Sequence, residues 1–474
     1  MNSEESYRSM MKNIAGMIIG IILALPWNLS SAGELSRGLS EALGNKASPT
    51  MLPVIVRMSA QTDLSGETRD IPRGEKRLRL KRVIQSLKKT ALKRPQGIID
   101  FIKQEQSLGR VDRYTPYWIF NGLALRATPH VIHKIALRDD VGIVTEDFSI
   151  PRPSLSSIAP LQTATCDSWN IEKIRAPEVW ERGYDGSGVV VGIIDTGVDV
   201  THADLANSFR GGNNSWFDPH GEHDFPVDAA GPATGHGTHV AGIIVGRESS
   251  GAPIGVAPGA QWIAARIWND AGDEALSSDV HSIFQWFMDP DGDPETDDFP
   301  DVINNSWGFK LLDSFPWCLP ELQDDIRAWR EAGIIPVFSA GNFGPWFFSG
   351  ESPGNYPETI AVGASNPLDA VALFSSRGPG NCDRRIFPDI VAPGVTVCSS
   401  APEGRYRYIS GTSQAAPHVV GTIALMLSAD PDLTMEEIEL KLKITAQPVG
   451  LFRPNFTSGW GRVDALKAVS SVIP

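Results

Sequence analysis

The sequence predicts an α/β protein, a mainly parallel sheet covered by helices on both faces, preceded by a small α+β unit. Three observations carry that expectation. Apolar runs of strand length recur at 189–194, 262–267, 302–303, 334–338, 360–362 and 390–391, with helical stretches at 239–245, 322–331 and 415–427 between them. Strands that are apolar throughout and alternate with helices belong to a parallel sheet buried on both sides. Second, residues 53–147 switch between strand and helix periods in the order β-α-β-β-α-β. Third, residues 1–165 carry 23 basic and 15 acidic side chains, a net of +8, while the rest of the chain nets −22. Two pieces of opposite sign either attract one another or keep separate solvated surfaces.

The chain is too long, at 474 residues, for one ordinary core. With 42% hydrophobic and 21% charged residues, 45 Gly and 35 Pro, it reads as globular and rich in loops. The net charge of −14 argues against nucleic acid as the main partner.

Taken in order, Arg8 and Lys12 precede an apolar run at 14–27, and Ser30, Ser31 and Ala32 offer small residues for cleavage. That is the pattern of an export signal, residues 1–32. The run is shorter than the roughly 20 residues that span a bilayer, so an uncleaved anchor is the lesser alternative. No later segment is apolar enough to cross a membrane. Residues 33–52 read as a linker, and 54–56 as a short strand. Residues 73–106 have helical spacing, interrupted at Pro95. Strands at 117–120 and 123–126 meet at Asn121-Gly122, a hairpin turn signal. A helix at 129–137 and a strand at 141–144 complete a split, ferredoxin-like order. Residues 148–168, with Pro151, Pro153 and Pro160, read as a linker into the larger unit.

Four cysteines, Cys166, Cys318, Cys382 and Cys398, allow three full pairings in an exported chain, or buried thiols. Cys382 with Cys398 closes the shortest of the loops considered and is the expected pair.

Four short motifs carry chemistry. A buried strand ends in Asp195-Thr196-Gly197, and sites form outside the carboxyl ends of strands in open α/β sheets. Taken alone, Asp195 is as good a helix cap or ribose ligand. Gly235-His236-Gly237-Thr238-His239 puts His236 just before a helix of small residues, where an imidazole serves as general base near neutral pH. A capping or metal-binding role is the alternative, since His220 and His223 lie upstream; no H-E-x-x-H pattern supports it. Ser410-Gly411-Thr412-Ser413-Gln414-Ala415-Ala416-Pro417 puts Ser413 in the first turn of a helix apolar almost all round. There the hydroxyl sits at the positive end of the dipole and the Ser413 N–H points at any developing oxyanion. An N-cap role explains a serine but not the run of small residues. Ser339-Ala340-Gly341-Asn342 follows a strand, where an amide can donate to an oxyanion or simply turn the chain.

Together these blocks resemble the subtilisin-like serine proteases, whose chain order is Asp, His, Ser. The resemblance covers about 169–470, and Val302-Ile303-Asn304-Asn305-Ser306-Trp307-Gly308 is most similar to the bacillopeptidase F branch. It implies a secreted serine endopeptidase acting on proteins or peptides. Asp195, His236 and Ser413 are then the catalytic triad and Asn342 the oxyanion donor. Ser306, Trp307 and Gly308 would pair with substrate backbone, Trp307 standing at the edge of the P1 pocket. Ser339, Ala340 and Gly341 would line the other wall. Glu351 would either stand near the pocket base or point to solvent. The basic piece, 33–165, resembles the family's propeptide, with a ferredoxin-like core at about 53–147; it would bind and inhibit the peptidase unit, 166–474. No cofactor is required for the chemistry, and no nucleic acid or, after signal removal, membrane partner is implied. Structural calcium is left open: the acidic insert 289–301 is either a calcium loop or a solvated one. Gln414 departs from the family, where Met is common. A binding-only relative and a metal hydrolase using His220, His223, His236 and His239 are the competing classes.

Overall fold

The computed structural model describes residues 33–44, 50–153, 166–231, 234–272, 275–310 and 318–473. The signal-like residues 1–32 lie outside these.

The N-terminal unit is a five-stranded sheet. Its strands are β1 (Glu34–Leu35), β2 (Leu52–Met58), β3 (Val111–Tyr117), β4 (Gly122–Ala127) and β5 (Val141–Glu146), in the order β1-β5-β2-β4-β3. Strands β2 to β5 are antiparallel and follow the ferredoxin-like order read from the sequence. Helices α1 (Arg37–Gly44), α2 (Lys76–Leu92), α3 (Gln96–Ser107) and α4 (Pro129–Ala136) join them. The expected helix is thus split in two by Pro95, which fixes an extended φ/ψ pair and starts α3. Asn121, at φ 42, makes the hairpin turn, but the strand before it lies earlier than expected, at 111–117. One expectation fails outright. Part of the supposed linker 33–52 is β1 and α1, because β1 pairs in parallel with β5 and Leu39 is buried in the unit's core.

The larger unit is a seven-stranded sheet with every neighbouring pair parallel. Its strands are β6 (Val190–Asp195), β7 (Trp216–Phe217), β8 (Gln261–Arg266), β9 (Val302–Asn305), β10 (Ile335–Ser339), β11 (Ile360–Ser365) and β12 (Ile390–Pro393), ordered β12-β11-β10-β9-β6-β8-β7. From β6 the chain goes first to β7 and β8 on one side and then to β9 on the other. That reversal opens a crevice beyond the carboxyl ends of β6 and β9. Helices α5 (His236–Val245), α6 (Ser277–Met288), α7 (Gln323–Ala332), α8 (Thr412–Ala429), α9 (Met435–Thr445) and α10 (Ala465–Ser470) cover the sheet, and a hairpin, β13 (Val397–Ala401) with β14 (Arg405–Ile409), lies beside α5. Every residue of α5 is buried, as is all of α8 up to Leu427, so both read as apolar all round.

The two units share a face. Leu80, Ile84, Leu87, Tyr117 and Phe120 of the first pack in one cluster with Phe284, Phe287 and Trp329 of the second. Ion pairs ring this contact. Lys76, Lys81 and Lys88 of α2 reach Asp301, Glu295 and Asp289 at 2.6, 2.5 and 2.6 Å, and Arg57 pairs with Asp324. The acidic insert is therefore not simply a solvated loop: three of its carboxylates meet one row of lysines. Residues 148–153 are not a free linker either. Ile150 N donates to Ala275 O at 2.9 Å, Ser277 N to Phe148 O at 3.0 Å and Trp268 Nε1 to Ile150 O at 3.0 Å. Asp147 caps α6, accepting from Ser277 Oγ at 2.8 Å and Ser278 N at 2.9 Å. Among the described residues no helix is long and apolar enough to cross a membrane.

Both disulfides correct the sequence reading. Cys166 bonds Cys398 and Cys318 bonds Cys382, with Cα atoms 5.6 and 5.0 Å apart. Cys398 stands on β13 and faces Cys166, whereas Cys382 is in a loop beside Asn355. Nearness in sequence carried no information about which Cβ atoms face each other.

Candidate active site

The crevice gathers the predicted residues from four elements. Asp195 is the last residue of β6, and its neighbour in the sheet, Ile194, pairs with Asn305 at the end of β9. His236 opens α5, and its Nδ1 lies 2.7 Å from Asp195 Oδ1, with both side chains buried. Gly237 makes that approach possible: a Cβ there would stand 2.1 Å from Gly197 O and 3.0 Å from Asp195 Cβ. Burial lowers the affinity of His236 for its proton, but the Asp195 charge and hydrogen bond, with Asp228 behind them, outweigh this and raise its pKa above 6.5.

Ser413 is the second residue of α8 and is mostly buried. Its Oγ donates to Ser306 O at 3.1 Å, and Ser306 Oγ returns a bond to Ser413 O at 2.8 Å. The hydroxyl is thus turned to the end of β9 and not to His236. Hydrogen bonds of catalytic groups are often long or misaligned before substrate binds. Asn342 follows β10, and its Oδ1 accepts from Thr412 N at 2.9 Å and Thr412 Oγ1 at 3.0 Å. With the oxygen so held, Nδ2 is the end that faces the cleft. A point above Gly411, where a Cβ would stand, is 3.6 Å from Asn342 Nδ2 and 3.6 Å from Ser413 N. Asn342 Nδ2 and Ser413 N thus lie on the same side of Gly411.

The predicted pocket walls also come together. A Cβ on Gly308 would lie 2.9 Å from Glu351 Oε1, and one on Gly341 would lie 3.0 Å from Glu351 Cδ. Glu351 thus sits between the 306–308 and 339–341 segments, with Ser339 and Ala340 buried on the second wall. It does not point to solvent. Burial pushes its carboxyl up to about 7, while the positive charge of Lys310 pulls it down. Lys310, beside the Phe343 ring with Nζ 3.8 Å from its centroid, is itself lowered to about 8 by burial. Trp307 departs from expectation. Its ring packs inward against Phe338 and Phe284, at centroid distances of 5.8 and 6.3 Å, so it does not edge the pocket. A fully apolar neighbourhood on that side explains its direction.

The histidines expected of a metal hydrolase do not converge. His220 Nε2 meets Ile267 O at 2.8 Å, His223 meets Asp270 at 2.8 Å and His239 meets Arg407 O at 3.1 Å. Among the described residues no group of three His, Cys, Asp or Glu side chains is arranged to hold a metal ion.

Asp228 was missed by sequence reasoning. It is buried and accepts from Gly235 N, Thr238 N, Thr238 Oγ1 and Thr196 Oγ1 at 2.8, 2.8, 2.6 and 2.9 Å. It caps α5 and fixes the turn that presents His236. No motif marks it; the only signal was an unassigned acidic residue shortly before the histidine block.

Residues 186–461 match the protein family described as the subtilase family, Peptidase_S8. Bacillopeptidase F of Bacillus subtilis (strain 168) is 36% identical over 417 residues, which are 82% of this chain and 28% of that protein. Subtilisin E of the same strain is 34% identical over 287 residues, 60% of this chain and 66% of that protein. Subtilisin of Bacillus pumilus is 34% identical over 305 residues, 63% of this chain and 98% of that protein. The chain therefore spans less than a third of the first relative's length and just under two thirds of the second's.

Proposed function

The chain belongs to the subtilase family, and from that premise we propose that it is a secreted serine endopeptidase made as an inhibited precursor. The observation that carries the reading is the buried 2.7 Å contact of His236 with Asp195, beside a serine in the first turn of a buried helix. In the proposed reaction Ser413 Oγ turns from Ser306 O and attacks the scissile carbonyl. His236 Nε2 takes the proton and later passes it to the leaving amine. Asp195 holds Nδ1–H and stabilises the imidazolium. Asn342 Nδ2 and Ser413 N–H receive the oxyanion; removing one such donor typically slows the reaction about 100- to 1,000-fold. Backbone of 306–308 would pair with the substrate as an added strand. The names of the relatives, a bacillopeptidase and two subtilisins, agree with this reading.

Residues 33–165 would act as the inhibitor. Support comes from residues 148–153, held by backbone bonds to residues 275–277 of the larger unit, and from the lysine row against the acidic insert. Export is supported by the apolar run at 14–27 and by two disulfides. Structural calcium remains a proposal without a candidate ligand group among the described residues.

Ser413→Ala tests the core of the reading. The variant should lose peptide hydrolysis and fluorophosphonate labelling and persist as the unprocessed chain. Hydrolysis at the unsubstituted rate would refute the triad. Normal processing of a pure Ser413→Ala preparation would refute self-cleavage. The binding-only alternative requires the unsubstituted protein to be unlabelled.

A further inference from the structure

Glu351 stands in the segment 349–356, which has no regular helix or strand. Two arms of chain grip that segment. The first, residues 309–310 and 318–319, lies between β9 and α7. Phe309 N donates to Ser352 O at 2.8 Å, and Ser352 N returns a bond to Phe309 O at 3.2 Å. Leu319 N donates to Ser352 Oγ at 3.1 Å, and Tyr356 OH donates to Leu319 O. The second arm is the loop 380–385. Asn381 Nδ2 donates to Gly350 O at 3.0 Å. Cys382 Sγ lies 3.3 Å from Asn355 Oδ1, which accepts from Ser352 Oγ at 3.0 Å.

The residue before Glu351 is thus held by one arm and the residue after it by the other, and the Cys318–Cys382 bond joins the two arms. These hydrogen bonds fix the segment only as firmly as their donors are fixed. The donors sit on irregular chain, with no sheet ladder or helix to hold them, and groups placed on loops are positioned less precisely than groups on helices and strands. The disulfide supplies the missing restraint. The triad does not draw on it. Among the described residues, the side-chain contacts of Asn381 and Cys382 and the Leu319 N bond end on the 348–355 segment, not on Asp195, His236, Asn342 or Ser413. The other disulfide ends on β13, away from this segment.

We propose that the Cys318–Cys382 disulfide positions Glu351 and with it the base of the P1 pocket, so that it sets which side chains are accepted and not how reactive Ser413 is. The proposal rests on the reading of Ser413 as the nucleophile and of Glu351 as a pocket residue. A carboxylate that swings with a loosened segment presents no fixed charge to a substrate side chain, whereas the oxyanion donors and the Asp195–His236 pair stay as they are.

The test uses the full chain after its own processing, at pH 8.5, where the Glu351 carboxyl is charged. Four proteins are compared: unsubstituted, Cys318→Ser with Cys382→Ser, Cys166→Ser with Cys398→Ser, and Glu351→Gln. Two quantities are measured on each: kcat/KM for peptides that differ only in P1 Arg or P1 Glu, and the rate of labelling by a small alkyl fluorophosphonate, which reports Ser413 without filling the pocket. In Cys318→Ser with Cys382→Ser the Arg-to-Glu ratio should fall about 10-fold, short of the roughly 100-fold that a 1 Å misplacement can cost, toward that of Glu351→Gln. Its labelling rate should hold. Cys166→Ser with Cys398→Ser should keep both quantities. An unchanged ratio without the Cys318–Cys382 bond overturns the proposal. So does a fall in labelling that matches the loss of hydrolysis for both peptides, which is the mark of a generally loosened fold. If Cys318→Ser with Cys382→Ser does not fold, the protein lacking Cys166 and Cys398 decides, since it holds only the bond in question. Reduced by dithiothreitol after folding, it should lose the ratio and keep its labelling rate; an unchanged ratio overturns the proposal. A ratio in Glu351→Gln equal to that of the unsubstituted protein removes the pocket reading of Glu351, and this proposal with it. An unsubstituted protein that neither hydrolyses peptide nor takes the label sinks the peptidase reading itself.

Discussion

Asp195 and His236 form a pair whose consequences can be read in a pH profile. Burial disfavours the imidazolium, yet the Asp195 charge and bond, with Asp228, leave the net pKa raised. A general base works in its neutral form. Peptidase activity should therefore climb as pH rises through a value above about 6.5, the ordinary imidazole pKa. Asp195→Asn removes the charge and the tautomer lock, so its acid limb should move to lower pH while kcat drops about 10,000-fold. An acid limb already below pH 6.5 in the unsubstituted enzyme contradicts the assignment. Glu351 offers a second titration. Its carboxyl, pushed up to about 7 by burial, is charged only above that pH. Preference for P1 Arg over P1 Glu, as a ratio of kcat/KM values, should grow between pH 6 and pH 8.5 and stay flat in Glu351→Gln. Equal ratios in both proteins at pH 8.5 would mean that Glu351 does not read P1. At this scale the sequence was most informative where a residue stands in a short motif at a strand end or helix start. Asp195, His236, Asn342 and Ser413 all do. Asp228 does not, because its role is defined by four donors drawn from two segments, Thr196 and 235–238, that only the fold brings to it. The direction of Trp307 was likewise illegible, since a motif gives backbone position but not which face of the strand end is apolar.

Helices and strands that read clearly were the long, uniformly apolar ones. All six strands expected in the larger unit exist; five run one to three residues further toward the site than expected, and β8 ends one residue earlier. Elements that take their stability from neighbours were missed. β7 is two residues long and exists only by pairing with β8, and β13 with β14 forms a two-stranded hairpin outside the main sheet. β1 and α1 were taken for a linker because a two-residue strand and an eight-residue helix are too short to be told from a loop by sequence pattern. The lysine row of α2 was visible as composition, but its partner was not. Lys76, Lys81 and Lys88 meet the 289–301 insert, so the charge split has a defined place. Pairs whose lysine ends remain partly in water contribute up to about 1 kcal/mol each. Replacing all three by Ala should raise the inhibition constant of the 33–153 segment, added in trans at low salt, by about 10-fold, on the basis of roughly 0.5 kcal/mol per pair. Inhibition by the unsubstituted segment should weaken between 50 and 500 mM NaCl, two concentrations chosen to span strong screening, and the triple variant should respond less. An unchanged inhibition constant, or equal salt responses, would show that the apolar face alone holds the segment.

The whole molecule is two cores sharing one apolar cluster, and the covalent cross-links belong to only one of them. Both disulfides fall between residues 166 and 398, so none ties the N-terminal unit to the larger one. That has a direct consequence for processing. A cut N-terminal to Cys166 frees the first unit from every covalent tie and leaves only the shared cluster and the ion pairs. A cut beyond Cys166 would leave it tethered through Cys398. The proposed boundary at 165 therefore predicts that the processed protein, denatured without reductant, runs as two separate chains. A single band that divides only when reductant is added would place the cut beyond Cys166. The same bond then bears on the mature unit. It closes a loop of 232 residues, from Cys166 at the start of the larger unit to β13 beside α5. In the chain-entropy account a loop of that size restrains the unfolded state by about 5 kcal/mol, and native strain lowers what is realised. Cys166→Ser with Cys398→Ser should move the denaturant midpoint of the mature enzyme down while leaving kcat within about two-fold, because neither sulfur touches the crevice. A loss of kcat at full occupancy of the folded state would instead mean that β13 transmits strain to His236 through the buried helix it packs against.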